Sequence, residues 1–189
     1  PLNGNHGRGA TINIINWDQA VEALAVAKKI SRSVIVEKYI TGYDHRILVI
    51  NYKFICAAQR KPAAVVGDGK STIQQLVDAV NTDPRRGYGH ENVLTSIKID
   101  EMTQNILEEK SLTLNSVLKK GEELFLKRTA NLSTGGTATD VTDIVHPYNV
   151  FMCERIARIV GLDICGIDIM TPDISEPLTE TGGAVLEVN

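Results

Sequence analysis

Five segments of the chain look helical, and in three of them, residues 18–30, 72–80 and 147–160, apolar residues lie on one face of the predicted helix. A repeat at i, i+3, i+4 and i+7 places apolar side chains on one face of a helix. Thr72 stands directly before such a repeat and is a suitable N-terminal cap, whereas Pro147 and Gly161 mark the two ends of another helix. We therefore predict helices over residues 18–30, 72–80, 100–109, 116–120 and 147–160.

Runs of β-branched and alternating apolar residues predict strands elsewhere. Two of these runs, residues 45–51 and 53–59, are close enough to form a hairpin, and residues 81–91 and 130–143 are polar loops. The remaining strands are predicted over residues 11–15, 33–39, 123–128, 164–170 and 184–189. A small strand-helix-strand unit thus precedes a larger region of mostly antiparallel strands with helices, which is an α+β architecture.

Two strands near the C-terminus carry the most informative polar side chains. Side chains alternate between the faces of a strand, so Glu187 and Asn189 lie on one face and Leu186 and Val188 on the other. Asp168 likewise lies opposite its apolar neighbours. If the strands pair, two carboxylates and one amide oxygen share a face, and such oxygen ligands suit a hard cation such as Mg²⁺. The alternative is that these groups simply face water.

The start of the chain is rich in glycine. Residues 4–9 include Gly4, Gly7 and Gly9, whose backbone N–H groups can turn toward an anion without obstruction by a Cβ atom. Arg8 adds a guanidinium group that suits phosphate. A flexible turn is the alternative for this loop. A phosphate loop and a magnesium site in one chain together indicate a nucleotide ligand.

Composition and charge exclude several classes of function. The 189 residues carry a net charge of −3, which gives no general attraction to nucleic acid or to an anionic membrane. No apolar run approaches the roughly 18 residues that a membrane span needs, and the first residues lack the basic region and apolar run that are typical of a signal peptide. The three cysteines lack metal or disulfide spacing, which favours the cytoplasm. Because the chain has no initiator Met, we expect it to be a fragment of a longer multidomain chain.

Five segments, taken in order, resemble one family. They read NGNHGRG, VIVEKYITGYDHRILVI, NTDPRRGYGHE, KRTANLSTGGTATDVTD and ICGIDIMTPDI. Together they resemble the ATP-grasp ligases, and within them the ATP-grasp region of the cyanophycin synthetases. Bifunctional glutamate–cysteine ligase/glutathione synthetases share several of these segments. The resemblance implies an ATP-grasp fold with a small lobe over residues 1–41 and a larger lobe over residues 42–189, with a nucleotide clasped between them.

The resemblance also implies ATP-binding residues. Glu37 would hold the adenine amino group, backbone groups of Lys38 and Ile40 would read the adenine edge, and Tyr39 would lie beside the ring. Asp44 would bind the ribose hydroxyls. The mobile flap over the β- and γ-phosphates would be formed by Asn5, His6, Gly7, Arg8 and Gly9.

The metal ligands implied by the resemblance are Asp168, Glu187 and Asn189. Some relatives have Arg two residues before the metal-binding Asp, but this chain has Gly166 there. Another cation must therefore meet the charge of the transition state.

Arg60 and Arg128 are our candidates for that cation, and Arg128 and Asn131 are expected beside the phosphates or the acceptor. A plain surface salt bridge is the alternative for Arg60. Alternation along a strand predicts that either Lys127 or Arg128 faces solvent.

The expected activity is that of an ATP-dependent, ADP-forming carboxylate–amine ligase that works through an acyl phosphate. By resemblance, aspartate is the amine and a growing poly-aspartate/arginine chain is the acceptor. The full enzyme would be a homo-oligomer, a separate domain would add arginine, and this fragment alone would be inactive. A ligase that joins glycine to a glutamyl-cysteine dipeptide and an ATP-binding module without catalysis are the alternatives.

Overall fold

The computed structural model of the chain describes residues 9–89 and 91–189. The chain divides into two compact units, Pro1–Thr41 and Gly42–Asn189. The assignment of these units to the two lobes of an ATP-grasp fold stays a prediction.

Among its described residues, 9–41, the first unit contains one regular element, helix α1 (Trp17–Lys28). Asn16 caps it, since its side-chain oxygen accepts a hydrogen bond of 2.9 Å from the backbone N–H of Gln19. The strands predicted over residues 11–15 and 33–39 are wrong, because neither segment pairs with any residue that the structure describes. β-Branched composition indicates only that a segment fits a sheet, and a strand also needs a neighbouring strand.

The second unit is built on a five-stranded antiparallel sheet. Its strands are β1 (Tyr43–Ile50), β2 (Lys53–Lys61), β7 (Thr137–Asp140), β8 (Ile164–Thr171) and β9 (Ala184–Val188). They lie side by side in the order β7-β2-β1-β8-β9. The predicted hairpin is confirmed as the pair β1 and β2.

Helix α4 (Pro147–Val160) covers one face of this sheet. Its predicted ends are confirmed: Pro147 is at the first helical position, and Gly161 ends the helix with the positive φ of 79° that glycine adopts without strain. The core beneath it is apolar, and the fully buried residues of the sheet in this core are Ile47, Val49, Ile167 and Ile169.

A second apolar core lies in the same unit. Helix α2 (Ile73–Asn81) begins with a capping box between Thr72 and Gln75.

Two minor helical turns are Leu132–Thr134 and Thr142–Ile144. The other elements here and in the rest of the unit are β3 (Ala64–Val66), β4 (Arg86–Gly87), β5 (Leu94–Thr95), α3 (Glu101–Glu109), β6 (Glu123–Phe125) and α5 (Leu178–Thr181).

Two boundaries in this region differ from the prediction. Residues 116–120 are not helical: Val117 instead forms an isolated bridge to Thr72. The strand predicted over residues 123–128 ends at Phe125, because only three residues pair with β3.

The cysteines behave as apolar residues, as their sequence context predicts. Cys153 and Cys165 are buried in the core under α4, and no disulfide is formed. Burial raises the pKa of the Cys153 thiol to about 12, which keeps it protonated and unreactive. In the part of the chain that the structure describes, no helix has the length and hydropathy needed to cross a membrane.

Candidate functional site

The sheet face that points away from α4 carries charged side chains from four strands. Arg46 on β1 lies opposite Asp168 on β8, and Asp44 lies opposite Arg60 on β2. Glu187 on β9 lies opposite Asp168. Directly opposed residues of antiparallel strands point to the same face. The register therefore gathers these five side chains into one group, which we call the charged face.

Asn189 joins the charged face through its backbone. Its N–H and C=O groups exchange two hydrogen bonds of 2.9 Å with Gly166. Gly166 lies two residues before Asp168, and therefore on the same side of β8. The prediction that Asp168, Glu187 and Asn189 lie on one face agrees with this register.

Leu186 differs from its prediction. Asp168 pairs with Glu187 whereas Ile169 pairs with Val185, so Leu186 is an extra residue in β9. Such a bulge breaks the strict alternation of side chains. Leu186 is 54% exposed and does not face the core, whereas Val188 packs against the core as predicted.

Two guanidinium groups hold the carboxylate of Asp168. Arg46 contacts both of its oxygens, with 2.9 Å between Nη2 and Oδ2 and a second contact from Nε to Oδ1. Arg60 places Nη2 at 3.1 Å from Oδ2. Its Nε lies 2.5 Å from Oδ1 of Asp44. The side chains of Asp168 and Arg60 are only 11% and 13% exposed, so each charge requires a partner.

The position of Arg60 excludes the alternative that this residue forms a plain surface salt bridge. It is not a plain surface salt bridge, because it links two carboxylates in a largely buried network. Burial alone lowers the pKa of its guanidinium, but the hydrogen bond and charge of Asp44, followed by those of Asp168, outweigh burial and raise that pKa. Arg60 is therefore a permanent cation fixed between Asp44 and Asp168.

Arg46 is the functional candidate that sequence reasoning missed. The sequence pattern that indicates Arg46 is its position two residues after Asp44 on the same strand, which places both side chains on one face. A Cβ atom at Gly166 would lie 2.9 Å from Cδ and 3.0 Å from Nη1 of Arg46. The absence of a side chain at residue 166 thus leaves room for this guanidinium.

Arg128 and Asn131 are not part of the charged face. Arg128 is half exposed and pairs with Glu109 of α3. Asn131 is exposed, and its side-chain nitrogen lies 3.4 Å from the hydroxyl of Thr129. Lys127 is buried against Asp100, as expected if one of two neighbouring cations faces inward.

Arg86 anchors the loop that contains Asn131. Its guanidinium donates hydrogen bonds of 2.7 Å and 2.9 Å to the carbonyl oxygens of Thr95 and Gly135. Gly136 N–H in turn donates to the carbonyl oxygen of Asn131 at 3.1 Å. The Gly-rich part of this loop is therefore held against its own unit.

The predicted adenine residues lie in the first unit. Glu37, Lys38 and Tyr39 are exposed and Ile40 is half buried, in an irregular segment. Within the described ranges, no backbone–backbone hydrogen bond involves residues 38–40.

The predicted phosphate flap is described only at its end. Gly9 lies in a turn with φ of 73°, a conformation that favours glycine. The other predicted flap residues lie outside the described residues, and they are Asn5, His6, Gly7 and Arg8.

The charged face offers the oxygen ligands that Mg²⁺ prefers. Asp168, Glu187 and Asn189 contribute two carboxylates and one amide, which is the donor chemistry of a hard cation. Over residues 9–89 and 91–189, no group of three or more His, Cys, Asp or Glu side chains could hold a metal ion. Asp168, Glu187 and Asn189 do not form such a group, since one of the three is an amide, and their donor types fit Mg²⁺. Both oxygens of Asp168 are contacted by Arg46.

Comparison with solved structures identifies the class of this fold. The structure matches the crystal structure of a bifunctional glutathione synthetase from Pasteurella multocida with a TM-score of 0.71. The sequence identity is 33%, and the match covers 98% of this chain and 25% of that chain. The fold is accordingly of the ATP-grasp class, and the predicted α+β fold class is confirmed.

Sequence comparison identifies particular relatives. The chain is 54% identical over 191 residues to the cyanophycin synthetase of Crocosphaera subtropica, across all of this chain and 22% of that protein. It is 34% identical over 194 residues to the glutathione biosynthesis bifunctional protein GshAB of Clostridium perfringens, across all of this chain and 25% of that protein. The resemblance to cyanophycin synthetases is thus confirmed. The chain spans between a fifth and a quarter of the length of the relatives that it matches. No model of a protein family matches the chain.

Proposed function

We propose that this chain is the nucleotide-binding part of an ATP-dependent ligase that joins a carboxylate to an amine. The observation that carries the proposal is the charged face, where Asp168 lies opposite Glu187 and Asn189 pairs with Gly166. An identity of 54% to a cyanophycin synthetase and of 34% to a glutathione biosynthesis protein supports a ligase.

The ATP contacts that we propose are those that the resemblance implies. Residues 5–9 would cover the phosphates, Glu37 and Tyr39 would contact adenine, and the backbone of Lys38 and Ile40 would read its edge. Asp44 would contact the ribose. Asp44 binds Arg60 through Oδ1, so Oδ2, which has no hydrogen bond to any residue that the structure describes, would be the oxygen for a ribose hydroxyl.

Asp168, Glu187 and Asn189 would hold Mg²⁺. Bound Mg²⁺ neutralises charge on the phosphates during phosphoryl transfer. Arg60 fixes the direction of the Asp168 carboxylate, and its Nη1 is the guanidinium nitrogen left over from its contacts with the two aspartates. That nitrogen is the candidate donor to a phosphate oxygen. Arg128 and Asn131 remain candidates for contact with the acceptor.

The proposed reaction has two steps. An oxygen of the acceptor carboxylate attacks the γ-phosphorus of ATP, which forms an acyl phosphate and releases ADP. The nitrogen of the amine then attacks the carbonyl carbon, and inorganic phosphate and a proton leave as the amide bond forms. Cations fixed in advance favour the first step, because they need no rearrangement when charge moves onto the leaving phosphate.

We further propose that aspartate is the amine and that the growing poly-aspartate/arginine chain supplies the carboxylate. The higher identity to a cyanophycin synthetase supports this choice. Ligation of glycine to a glutamyl-cysteine dipeptide is the second candidate, because a glutathione synthetase also shares the fold. A test that distinguishes the two candidate reactions requires a protein as long as the relatives, because this chain spans only 22% of the cyanophycin synthetase that it matches.

A chimera supplies that test. This chain replaces the matching 191 residues of the Crocosphaera subtropica protein, and ADP release is measured with each pair of substrates. We expect ADP release that depends on aspartate and the polymer. Glu187→Gln should reduce it at least a hundredfold, whereas Glu180→Gln, an exposed carboxylate in α5, should not change it.

Three other outcomes have distinct meanings. ADP release with glycine and the glutamyl-cysteine dipeptide alone would favour the second candidate. Binding of ATP without ADP release on any substrate would identify a non-catalytic ATP-binding module. Equal activity of Glu187→Gln and Glu180→Gln would contradict the proposed metal site.

A further inference from the structure

The charged face contains an arrangement that the proposed function does not explain. Both oxygens of Asp168 are already contacted by Arg46, and Oδ2 is contacted by Arg60 as well. A metal ion that used Asp168 would either share a carboxylate oxygen with a guanidinium or displace that guanidinium. Two cations at one oxygen repel each other, which favours the release of one of the two arginines.

The two arginines differ in how firmly they are held. Arg60 binds two carboxylates and its side chain is 13% exposed. Arg46 binds Asp168 alone within the described residues, and its side chain is 39% exposed. An exposed Arg with one partner loses less when that partner is taken, because water can solvate the released guanidinium. Arg46 is the one that can leave.

Gly166 also singles out Arg46. The guanidinium lies where a Cβ at residue 166 would meet it at 3.0 Å. It shares this part of the charged face with Asn189, which pairs with Gly166, and with Glu187, which pairs with Asp168. Arg46 thus contacts one proposed metal ligand, Asp168, on the strand that pairs with the other two.

We propose that Arg46 is an exchangeable cation that occupies Asp168 until a divalent metal ion displaces it. This inference rests on the proposed metal site. The exchange keeps the buried carboxylate neutralised in both states, since a guanidinium covers it in one state and the metal in the other. It also lowers the affinity for free metal, and the further oxygens of a nucleotide phosphate would then strengthen metal binding.

Binding of Mn²⁺ to the nucleotide-free chain, followed by electron paramagnetic resonance, tests this exchange. We expect Arg46→Gln to bind Mn²⁺ about tenfold more tightly than the wild type, because the competing charged hydrogen bonds are gone. Arg46→Lys keeps the charge but loses the two-oxygen geometry, so it should fall between them. Arg158→Gln, which removes a half-exposed arginine from α4, is the matched control and should change nothing.

A second measurement observes Arg46 directly and remains informative if Arg46→Gln does not fold. The Nε–H signal of Arg46 in the nitrogen-proton NMR spectrum of the wild type, assigned through its loss in Arg46→Lys, should move as Mg²⁺ is added. That signal should move with the same midpoint as metal binding.

The outcomes separate the two proposals. Equal or weaker Mn²⁺ binding by a folded Arg46→Gln would overturn the exchange, and so would an Nε–H signal that does not respond to bound metal. If neither wild type nor Arg46→Gln binds Mn²⁺, both the exchange and the metal site fail. Loss of binding in Glu187→Gln together with no gain in Arg46→Gln would leave the metal site standing and overturn the exchange alone.

Discussion

The two faces of the five-stranded sheet are formed by the same strands but have different roles. On β8, Ile167 and Ile169 are fully buried under α4, while Asp168 between them lies in a network of two arginines. The alternation of a strand thus puts a stability-determining residue next to a ligand-binding candidate. Substitutions on the core face should change folding, and substitution of the exposed Glu187 on the charged face should change ligand binding more than folding.

The largest expected effect on stability comes from the core face. Ile167→Ala should lower the free energy of unfolding by about 3 to 4 kcal/mol, because it removes buried methyl groups and leaves a cavity. Denaturant unfolding measures this loss. Val36→Ala in the first unit, where the side chain is 90% exposed, is the control and should change stability by less than about 0.5 kcal/mol. A loss below about 1 kcal/mol at Ile167 would contradict its place in the core.

Arg60→Gln should have the next largest effect. It leaves Asp44 without its arginine and Asp168 with Arg46 alone, so we expect a loss of about 2 kcal/mol. Unfolding at several salt concentrations measures it. Arg158→Gln removes a half-exposed arginine from α4 and should cost less than about 1 kcal/mol. Equal losses for the two variants would show that the charged network does not stabilise the sheet.

Gly166→Ala should change stability by less than about 1 kcal/mol, because its close contacts are with the flexible end of Arg46. The added Cβ should push the guanidinium away from Asp168. If Arg46 competes with metal, this variant should bind Mn²⁺ several-fold more tightly than the wild type. A strong loss of stability without any change in metal binding would show that residue 166 serves packing alone.

Glu187→Gln should have the smallest effect on stability, within about 0.5 kcal/mol, because its side chain is exposed at the edge strand β9. Its effect on metal-dependent binding should nonetheless be large. Thermal unfolding with and without Mg²⁺-nucleotide separates the effect on stability from the effect on ligand binding, since a bound ligand raises the stability of the wild type. If the ligand stabilised Glu187→Gln as much as the wild type, the claim that the charged face binds the ligand through Glu187 would be contradicted.

Local patterns predicted much of the second unit. The hairpin of β1 and β2 and the ends of α4 follow from short-range signals, namely alternation, Pro147 and Gly161. The pairing of Asp168 with Glu187 could be anticipated because both strands are apolar with acidic residues on one face.

Long-range neighbours could not be predicted in the same way. Arg46 was missed because its contact with Asp168 joins residues 122 positions apart, and no local pattern specifies that register. The strands expected over residues 11–15 and 33–39 failed for the same reason: their composition suits a sheet, but the described chain offers them no neighbour.

The most direct test of the charged face is a calorimetric titration with a non-hydrolysable ATP analogue, with and without Mg²⁺. It is performed on the wild type, Glu187→Gln and the control Glu180→Gln. We predict binding that requires Mg²⁺, that Glu187→Gln weakens at least tenfold and that Glu180→Gln leaves unchanged. Binding that is independent of Mg²⁺ and equal in all three proteins would contradict a metal-nucleotide site on this face of the sheet.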